Sequence, residues 1–213
     1  MIVNEIFYSI DGEGLRAGEL AVFIRLAGCD LRCSYCDTGY ALDGNAGTEM
    51  DIREIVEEVK GYGCRNVTLT GGEPLIHEGA QELVETLTQN GFQVNIETNG
   101  ASPIGQFLFP ETIITMDYKC PSSGCEESML LENLGFLRQQ DALKFVVGTA
   151  QDLERAQEIL EKYRPKAMAY LSPVFGRIEP ASIVDFMKEH HMERCRLQLQ
   201  LHKYIWDPEA RGV

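Results

Sequence analysis

Three cysteines, Cys29, Cys33 and Cys36, share one loop with the spacing C-x3-C-x2-C. A four-iron cluster normally takes four thiolates, so a cubane held by these three keeps one iron without a protein ligand. An open coordination position marks a reactive metal centre rather than a closed structural one. The chemistry to expect is therefore binding and activation of a small molecule at iron. A structural zinc site would want a fourth Cys or His in a second close pair. The other cysteines, Cys64, Cys120, Cys125 and Cys195, make no second C-x2-C. Seven is also an odd count, and Met1–Tyr8 lacks the basic flank and long apolar stretch of a secretory leader. A disulfide framework is not expected.

Other polar motifs have chemistry to offer, each beside a plainer reading. In Thr70-Gly71-Gly72-Glu73-Pro74, two glycines leave backbone bare for a ligand, and the Glu73 carboxylate is free to accept from an ammonium group; otherwise the motif is an ordinary turn. The run Ser9-Ile10-Asp11-Gly12-Glu13-Gly14 either presents amides and a carboxylate to a polar heterocycle or simply turns the chain. Arg25 lies inside Phe23-Ile24-Arg25-Leu26, where a guanidinium is costly unless paired. Its partner is either a structural acid or a substrate carboxylate gripped bidentately. After Cys36 come Asp37 and Thr38, whose hydroxyl is a hard oxygen ligand suited to magnesium or a donor in a local turn. His202 and Lys203 follow the last apolar run, with His202 either a substrate donor or a surface residue.

The elements that must position these groups alternate. Strands are predicted at Ala21–Ala27, Asn66–Thr70, Phe92–Glu97, Thr112–Met116, Leu143–Val147, Ala167–Leu171 and Arg196–Leu201. Amphipathic helices are predicted at Asp51–Tyr62, Glu78–Gln89, Asp152–Tyr163 and Pro180–His190, with Asp51 and Asp152 as N-caps. This alternation is the signature of βαβ units and a parallel sheet. The expected fold is α/β, about six to seven parallel strands in a barrel-like or open sheet, one domain over residues 1–213. Ligands gather at the carboxyl ends of such strands. The cysteine loop, the Gly-Gly-Glu-Pro turn, Glu97-Thr98-Asn99-Gly100, Asp117-Tyr118-Lys119 and Ser172-Pro173 all fall at those ends.

A net charge of −14 argues against non-specific binding to nucleic acid or anionic membrane. No apolar run reaches the length needed to span a bilayer. Unpaired cysteines and an oxygen-sensitive cluster point to a reducing, cytoplasmic setting.

The cysteine spacing, with Tyr35 before the third cysteine and the Gly-Gly-Glu-Pro turn, resembles the radical S-adenosylmethionine superfamily. Within it, the chain resembles the 7-carboxy-7-deazaguanine synthase family. The matching stretches are Glu5-Ile6-Phe7, Gly12-Glu13-Gly14, Phe23 through Cys29, Cys36-Asp37-Thr38, Thr70 through Pro74, Glu97 through Gly100, and Gln200-Leu201-His202-Lys203. The resemblance implies a partial (β/α) barrel with the cluster at its carboxyl-end face. It implies conversion of 6-carboxy-5,6,7,8-tetrahydropterin to 7-carboxy-7-deazaguanine with loss of ammonia, on the way to queuosine and related deazapurines. A 5′-deoxyadenosyl radical made from S-adenosylmethionine would start the reaction and be re-formed at its end.

Carried over residue by residue, the resemblance gives Cys29, Cys33 and Cys36 to a [4Fe-4S] cluster and Thr38 to Mg2+. Tyr35, Cys36, Asp37, Gly72, Glu73, Asp117, Tyr118, Lys119, Leu171, Ser172, Pro173 and Val174 would line the S-adenosylmethionine site. Ile10, Asp11, Gly12, Glu13, Arg25, Thr70 and His202 would face the pterin. The chain departs from the family where Asp11 replaces a frequent Gln, and where Asp117-Tyr118-Lys119 replaces Ser-Pro-Lys. A flavodoxin or ferredoxin electron donor is implied, docking near Arg16 and Arg32, as is a homodimer. The tail, Tyr204–Val213, would bring its terminal carboxylate near the substrate. The alternative is a glycyl-radical-enzyme activase, which shares the cysteine loop but needs neither Arg25 nor Thr38.

Overall fold

Nine strands hydrogen-bond into one sheet in the computed structural model, which describes residues 1–213. They are β1 (Ile2–Ile10), β2 (Leu20–Leu26), β3 (Thr48–Glu49), β4 (Asn66–Gly71), β5 (Gln93–Thr98), β6 (Thr112–Tyr118), β7 (Ala142–Val147), β8 (Met168–Pro173) and β9 (Cys195–Leu197). The helices are α1 (Ile52–Gly61), α2 (Ala80–Gln89), α3 (Asn133–Phe136), α4 (Ala150–Tyr163), α5 (Pro180–Glu189) and α6 (His202–Ile205). The strand order is β3-β1-β2-β4-β5-β6-β7-β8-β9. β1 runs antiparallel to both its neighbours, and every pair from β2 to β9 is parallel. A doubly wound sheet reverses its strand order midway. Here the order never reverses after β2, so right-handed crossovers place the connecting helices on one face. That winding fits the expected partial (β/α) barrel and an open sheet alike, with β3 and β9 as the two ends of the strand order.

Side chains along a strand alternate between faces, and the two faces are chemically different. On the helix side, Val22, Ile24 and Leu26 join Val67, Leu69, Val94, Ile96, Ile114, Met116, Leu143, Phe145 and Val147 in one apolar cluster. The residues between them are Arg25, Thr68, Thr70, Asn95, Glu97, Thr115, Asp117 and Lys144. These form an inner polar face, and hydrogen bonds such as Thr115 Oγ1 to Asn95 Oδ1 (2.8 Å) satisfy it. A sheet covered on both sides usually reads as continuous hydrophobic runs; along β4 to β6, polar side chains alternate with the apolar ones instead.

Some local expectations are corrected. β1 is a strand the sequence reading did not include, its alternation broken by Asn4 and Glu5. Asp51 caps α1 through a reciprocal box with Glu54. α4, however, is capped by Thr149, not Asp152. Asp152 is the third residue of that helix, and its carboxylate accepts from the Gly148, Thr149 and Ser122 amides at 2.8–3.0 Å. The last strand stops at Leu197 rather than Leu201. The chain leaves the sheet there because the Gln198 side-chain amide pairs with both backbone groups of Gly14, at 2.7 and 2.9 Å. His202 then opens α6 instead of ending a strand.

Candidate active site

The carboxyl ends of β2 and β4 to β8 border a cleft of about 310 Å³. Cys29, Cys33 and Cys36 all line it. Their loop is anchored at both sides. The Gly28 amide donates to the Ala41 carbonyl at 2.7 Å, and the Ser34 amide and hydroxyl donate to the Ser123 and Ser122 carbonyls at 2.9 and 2.7 Å. Arg177 donates to the Ser34 carbonyl at 3.1 Å. Gly72 packs so closely on Gly28 and Cys29 that any side chain there would collide with the loop backbone. Its small size thus seats the cysteine loop, as well as baring backbone toward the cleft.

All seven cysteines are free, and only these three line the cleft. Burial pushes the Cys29 thiol up and the Cys33 thiol to about 12, so both need a metal to become thiolates. No three His, Cys, Asp or Glu side chains gather tightly enough around one point to hold a single ion. Three thiols lining one cleft, with no fourth cysteine among its lining residues, fit a multi-iron cluster that leaves one iron open.

Strand register sets the rest. Arg25 lies opposite Glu5 on β1 and opposite Thr70 on β4. Its Nε donates to Glu5 Oε1 at 2.7 Å, and its guanidinium lies 5.8 Å from both the Phe7 and the Tyr40 ring centres. Nη1 and Nη2 have no protein acceptor, so their edge is open to the cleft that Arg25 lines. A structural acid and a substrate are therefore both accommodated. Asp117 faces Lys144 across β6 and β7. Lys144 Nζ reaches Glu13 at 2.9 Å and Asp117 at 3.1 Å, while Lys119 reaches Asp117 at 2.6 Å. Burial alone would raise the Asp117 carboxyl, but Lys119 and Lys144 hold it below its usual range. Lys203 pairs with Asp37 at 2.9 Å, and the Thr38 hydroxyl donates to Asp37 at 3.1 Å.

Of the residues expected at the pterin, Ile10, Gly12, Glu13, Arg25, Thr70 and His202 line the cleft. A side chain at Gly12 would collide with the His202 imidazole, which burial keeps neutral. Asp11 does not reach the cleft. It is 1% exposed, accepts from Arg16 Nε at 3.0 Å and from the Thr68 hydroxyl at 2.7 Å, and serves as an internal ion-pair partner. Arg16 is accordingly buried, not part of a docking surface. Of the residues expected at S-adenosylmethionine, Tyr35, Cys36, Asp37, Gly72, Asp117, Lys119 and Val174 line the cleft. Tyr118 alternates to the other face, where its hydroxyl donates to Glu126 at 2.8 Å. Leu171 joins the apolar cluster. Pro173 is buried away from the cleft, and Ser172 donates to Glu13 at 3.2 Å from behind it. Glu73 is fully buried and accepts from Thr98 Oγ1, the Leu75 amide and the Asn99 amide at 2.6–2.9 Å. With those donors in place it ties the β4 and β5 loops together and offers no oxygen to the cleft.

Three residues with no individual role in the sequence reading complete the walls: Lys144, and Glu97 and Asn99 from the motif expected at the end of β5. Glu97 accepts from Thr70 Oγ1 at 2.9 Å, and burial raises its carboxyl to about 7 although Lys144 works against this. Asn99 bridges to Asp30 on the cysteine loop at 2.8 Å. Lys144 stands alone between apolar neighbours, the same signal that singled out Arg25.

Comparison with known proteins places this architecture. The Radical SAM superfamily pattern matches residues 23–113. The chain is 46% identical to the 7-carboxy-7-deazaguanine synthase of Clostridium acetobutylicum, over 99% of this chain and 98% of that one. The chain belongs to the 7-carboxy-7-deazaguanine synthase family. A second member, from Methanospirillum hungatei, is 41% identical over 98% of this chain and 86% of its own. The crystal structure of QueE from Escherichia coli superposes with a TM-score of 0.75 at 28% identity, covering 94% of each chain. Streptococcus suis SuiB shares the fold alone, with 11% identity, a TM-score of 0.61, and coverage of 83% of this chain and 47% of that one. The chain is thus a radical S-adenosylmethionine enzyme, and membership implies a [4Fe-4S] cluster and S-adenosylmethionine as its cofactors. The comparisons lend nothing to the activase alternative.

Proposed function

We propose that the enzyme converts 6-carboxy-5,6,7,8-tetrahydropterin to 7-carboxy-7-deazaguanine, releasing ammonia. The observation that carries this reading is that one cleft brings the three-cysteine loop together with Arg25, Glu13, Glu97 and His202. Cys29, Cys33 and Cys36 would hold the cluster, which with S-adenosylmethionine supplies the one-electron chemistry needed to take hydrogen from an unactivated carbon. The protein's own task is to bind, orient and keep the reacting centre dry.

Arg25, held flat by Phe7 and Tyr40, offers its open Nη edge to the substrate carboxylate. Thr38 is the magnesium ligand in this reading, close to the same carboxylate. Glu13, steadied by Lys144 and Ser172, and Glu97 accept from the pterin's amino and ring N–H groups. His202, neutral and fixed over Gly12, can donate or accept at the heterocycle. Lys119 and Asp117 stand with Tyr35, Gly72 and Val174 on the S-adenosylmethionine side. The terminal residues Pro208–Val213 line the cleft and shield it.

The same reading treats residues 1–213 as one radical S-adenosylmethionine unit that works in the cytoplasm as a homodimer. No helix is long and apolar enough to cross a membrane. A flavodoxin or ferredoxin would deliver the electron beside the cysteine loop, where exposed Arg32 and Arg177 replace buried Arg16 as docking candidates.

The test is anaerobic reconstitution with iron and sulfide, followed by addition of S-adenosylmethionine, dithionite, Mg2+ and 6-carboxytetrahydropterin. Mass spectrometry should show 7-carboxy-7-deazaguanine forming without matching loss of S-adenosylmethionine. Omitting Mg2+ should slow product formation. Cleavage to 5′-deoxyadenosine with no pterin product would reject the substrate assignment.

A further inference from the structure

Five Lys and Arg side chains line the cleft: Arg25, Lys119, Lys144, Lys203 and Arg211. Four of them already face a carboxylate, at 2.7 Å for Arg25–Glu5, 2.6 Å for Lys119–Asp117, 2.9 Å for Lys144–Glu13 and 2.9 Å for Lys203–Asp37. Arg211 forms no ion pair and no hydrogen bond to the protein, although the chain carries 33 acidic against 19 basic residues. Its guanidinium is nonetheless placed. It lies 3.9 Å from the Tyr40 ring centre, and that ring is itself fixed by a 3.0 Å hydrogen bond from its hydroxyl to Glu5. A cation stacked on an aromatic face keeps its N–H edge free for an anion. The next residue, Gly212, packs against the same Glu5: a Cβ there would lie 4.0 Å from Oε2. The terminal segment therefore delivers Arg211 to the corner occupied by Glu5, Arg25 and Tyr40.

We propose that Arg211 is a specificity-determining residue that, with Arg25, reads the carboxylate of the substrate. The proposal rests on the pterin reading above and adds to it a second guanidinium that comes from the end of the chain. Arg25 keeps one edge on Glu5 and offers the other; Arg211 offers all its donors. Two guanidiniums on one aromatic ring, with donor edges unoccupied, select a ligand bearing a negative charge at that corner. A residue that only latched the tail by stacking would not distinguish a charged ligand from a neutral one.

The experiment measures equilibrium binding to the anaerobically reconstituted enzyme with S-adenosylmethionine and Mg2+, without reductant. Its probes are 6-carboxytetrahydropterin and the same tetrahydropterin lacking the carboxylate, on the natural protein, Arg211→Gln and Arg211→Lys. Loss of a charge-assisted hydrogen bond predicts about a tenfold weaker affinity of Arg211→Gln for the carboxylated probe, with the uncarboxylated probe unchanged. Arg211→Lys should recover part of the loss. Equal affinity of Arg211→Gln and the natural protein for the carboxylated probe overturns the proposal. An equal loss for both probes overturns it in favour of a latch. With S-adenosylmethionine titrated as a third probe, a loss confined to it overturns the proposal in favour of the cofactor's carboxylate. Failure of the natural protein to bind either pterin rejects the pterin reading itself, and the proposal with it.

Discussion

Along β2, Ile24 turns into the apolar layer under the helices, and Arg25, its neighbour in the chain, turns into the cleft. β7 repeats the contrast with Leu143, Lys144 and Phe145. The two faces of one sheet are thus both enclosed, and they are built for different ends. The outer layer is held by packing, where removing atoms leaves a cavity and a stability cost. The inner face is held by paired charges and hydrogen bonds, and its few unpaired groups are the ones free to meet a ligand. A substitution should therefore act according to the parity of its position, not its distance along the chain.

The sharpest departures are expected at the cysteine loop. Replacing any one of Cys29, Cys33 or Cys36 by Ala should abolish iron–sulfur incorporation and S-adenosylmethionine cleavage. The unfolding midpoint of the metal-free protein should stay close to that of the natural chain. Absorbance and iron analysis after reconstitution check the first, and urea titration the second. In the apolar layer, Ile24→Ala should lower unfolding free energy by about 2–5 kcal/mol, measured by urea denaturation. On the inner face, Arg25→Ala should spare the cluster and weaken pterin binding by about 1.5–3 kcal/mol. Equal affinity in that variant would make Arg25 a structural partner of Glu5 alone.

The smallest effect concerns pH. Burial raises Glu73 and Glu97 from 4.5 to about 7. Between those values the folded protein holds more protons at these sites than the unfolded chain. Stability contributed by their neutral forms is therefore fully present below about 4.5, falls as pH rises to about 7, and stays flat above. Each carboxyl adds at most about 1.4 kcal/mol per pH unit to that slope. Glu97→Gln should make the slope shallower when urea unfolding is followed from pH 5 to 8; an unchanged slope would mean Glu97 titrates normally.

The contrast also explains what could be read from the chain. The apolar layer announces itself through alternating pairs such as Val67 and Leu69 and through helices with capped starts, so the parallel sheet and most strands were legible, while the choice between barrel and open sheet was not. The cysteine loop was legible because its spacing is local. The inner face was only partly so, because it is written in single residues whose partners lie on other strands. Asp11 looked like a ligand contact until Arg16, five residues on, proved to fold back and pair with it. Tyr118 sits between two cleft residues yet points to the other face. Lys144 and Glu97 gain their meaning only through the register that sets them beside Asp117 and Thr70. The Gln198–Gly14 pairing that ends β9 joins positions 184 residues apart, beyond any local pattern.

The most direct test of this division compares Ile24→Ala with Arg25→Ala, measuring for each both urea unfolding and the affinity of the reconstituted enzyme for 6-carboxytetrahydropterin. The division predicts that Ile24→Ala loses stability and keeps its affinity, while Arg25→Ala loses affinity and gives up less stability than Ile24→Ala, because Glu5 keeps the Tyr40 hydroxyl as a donor. Parallel losses of both properties in both variants would contradict it.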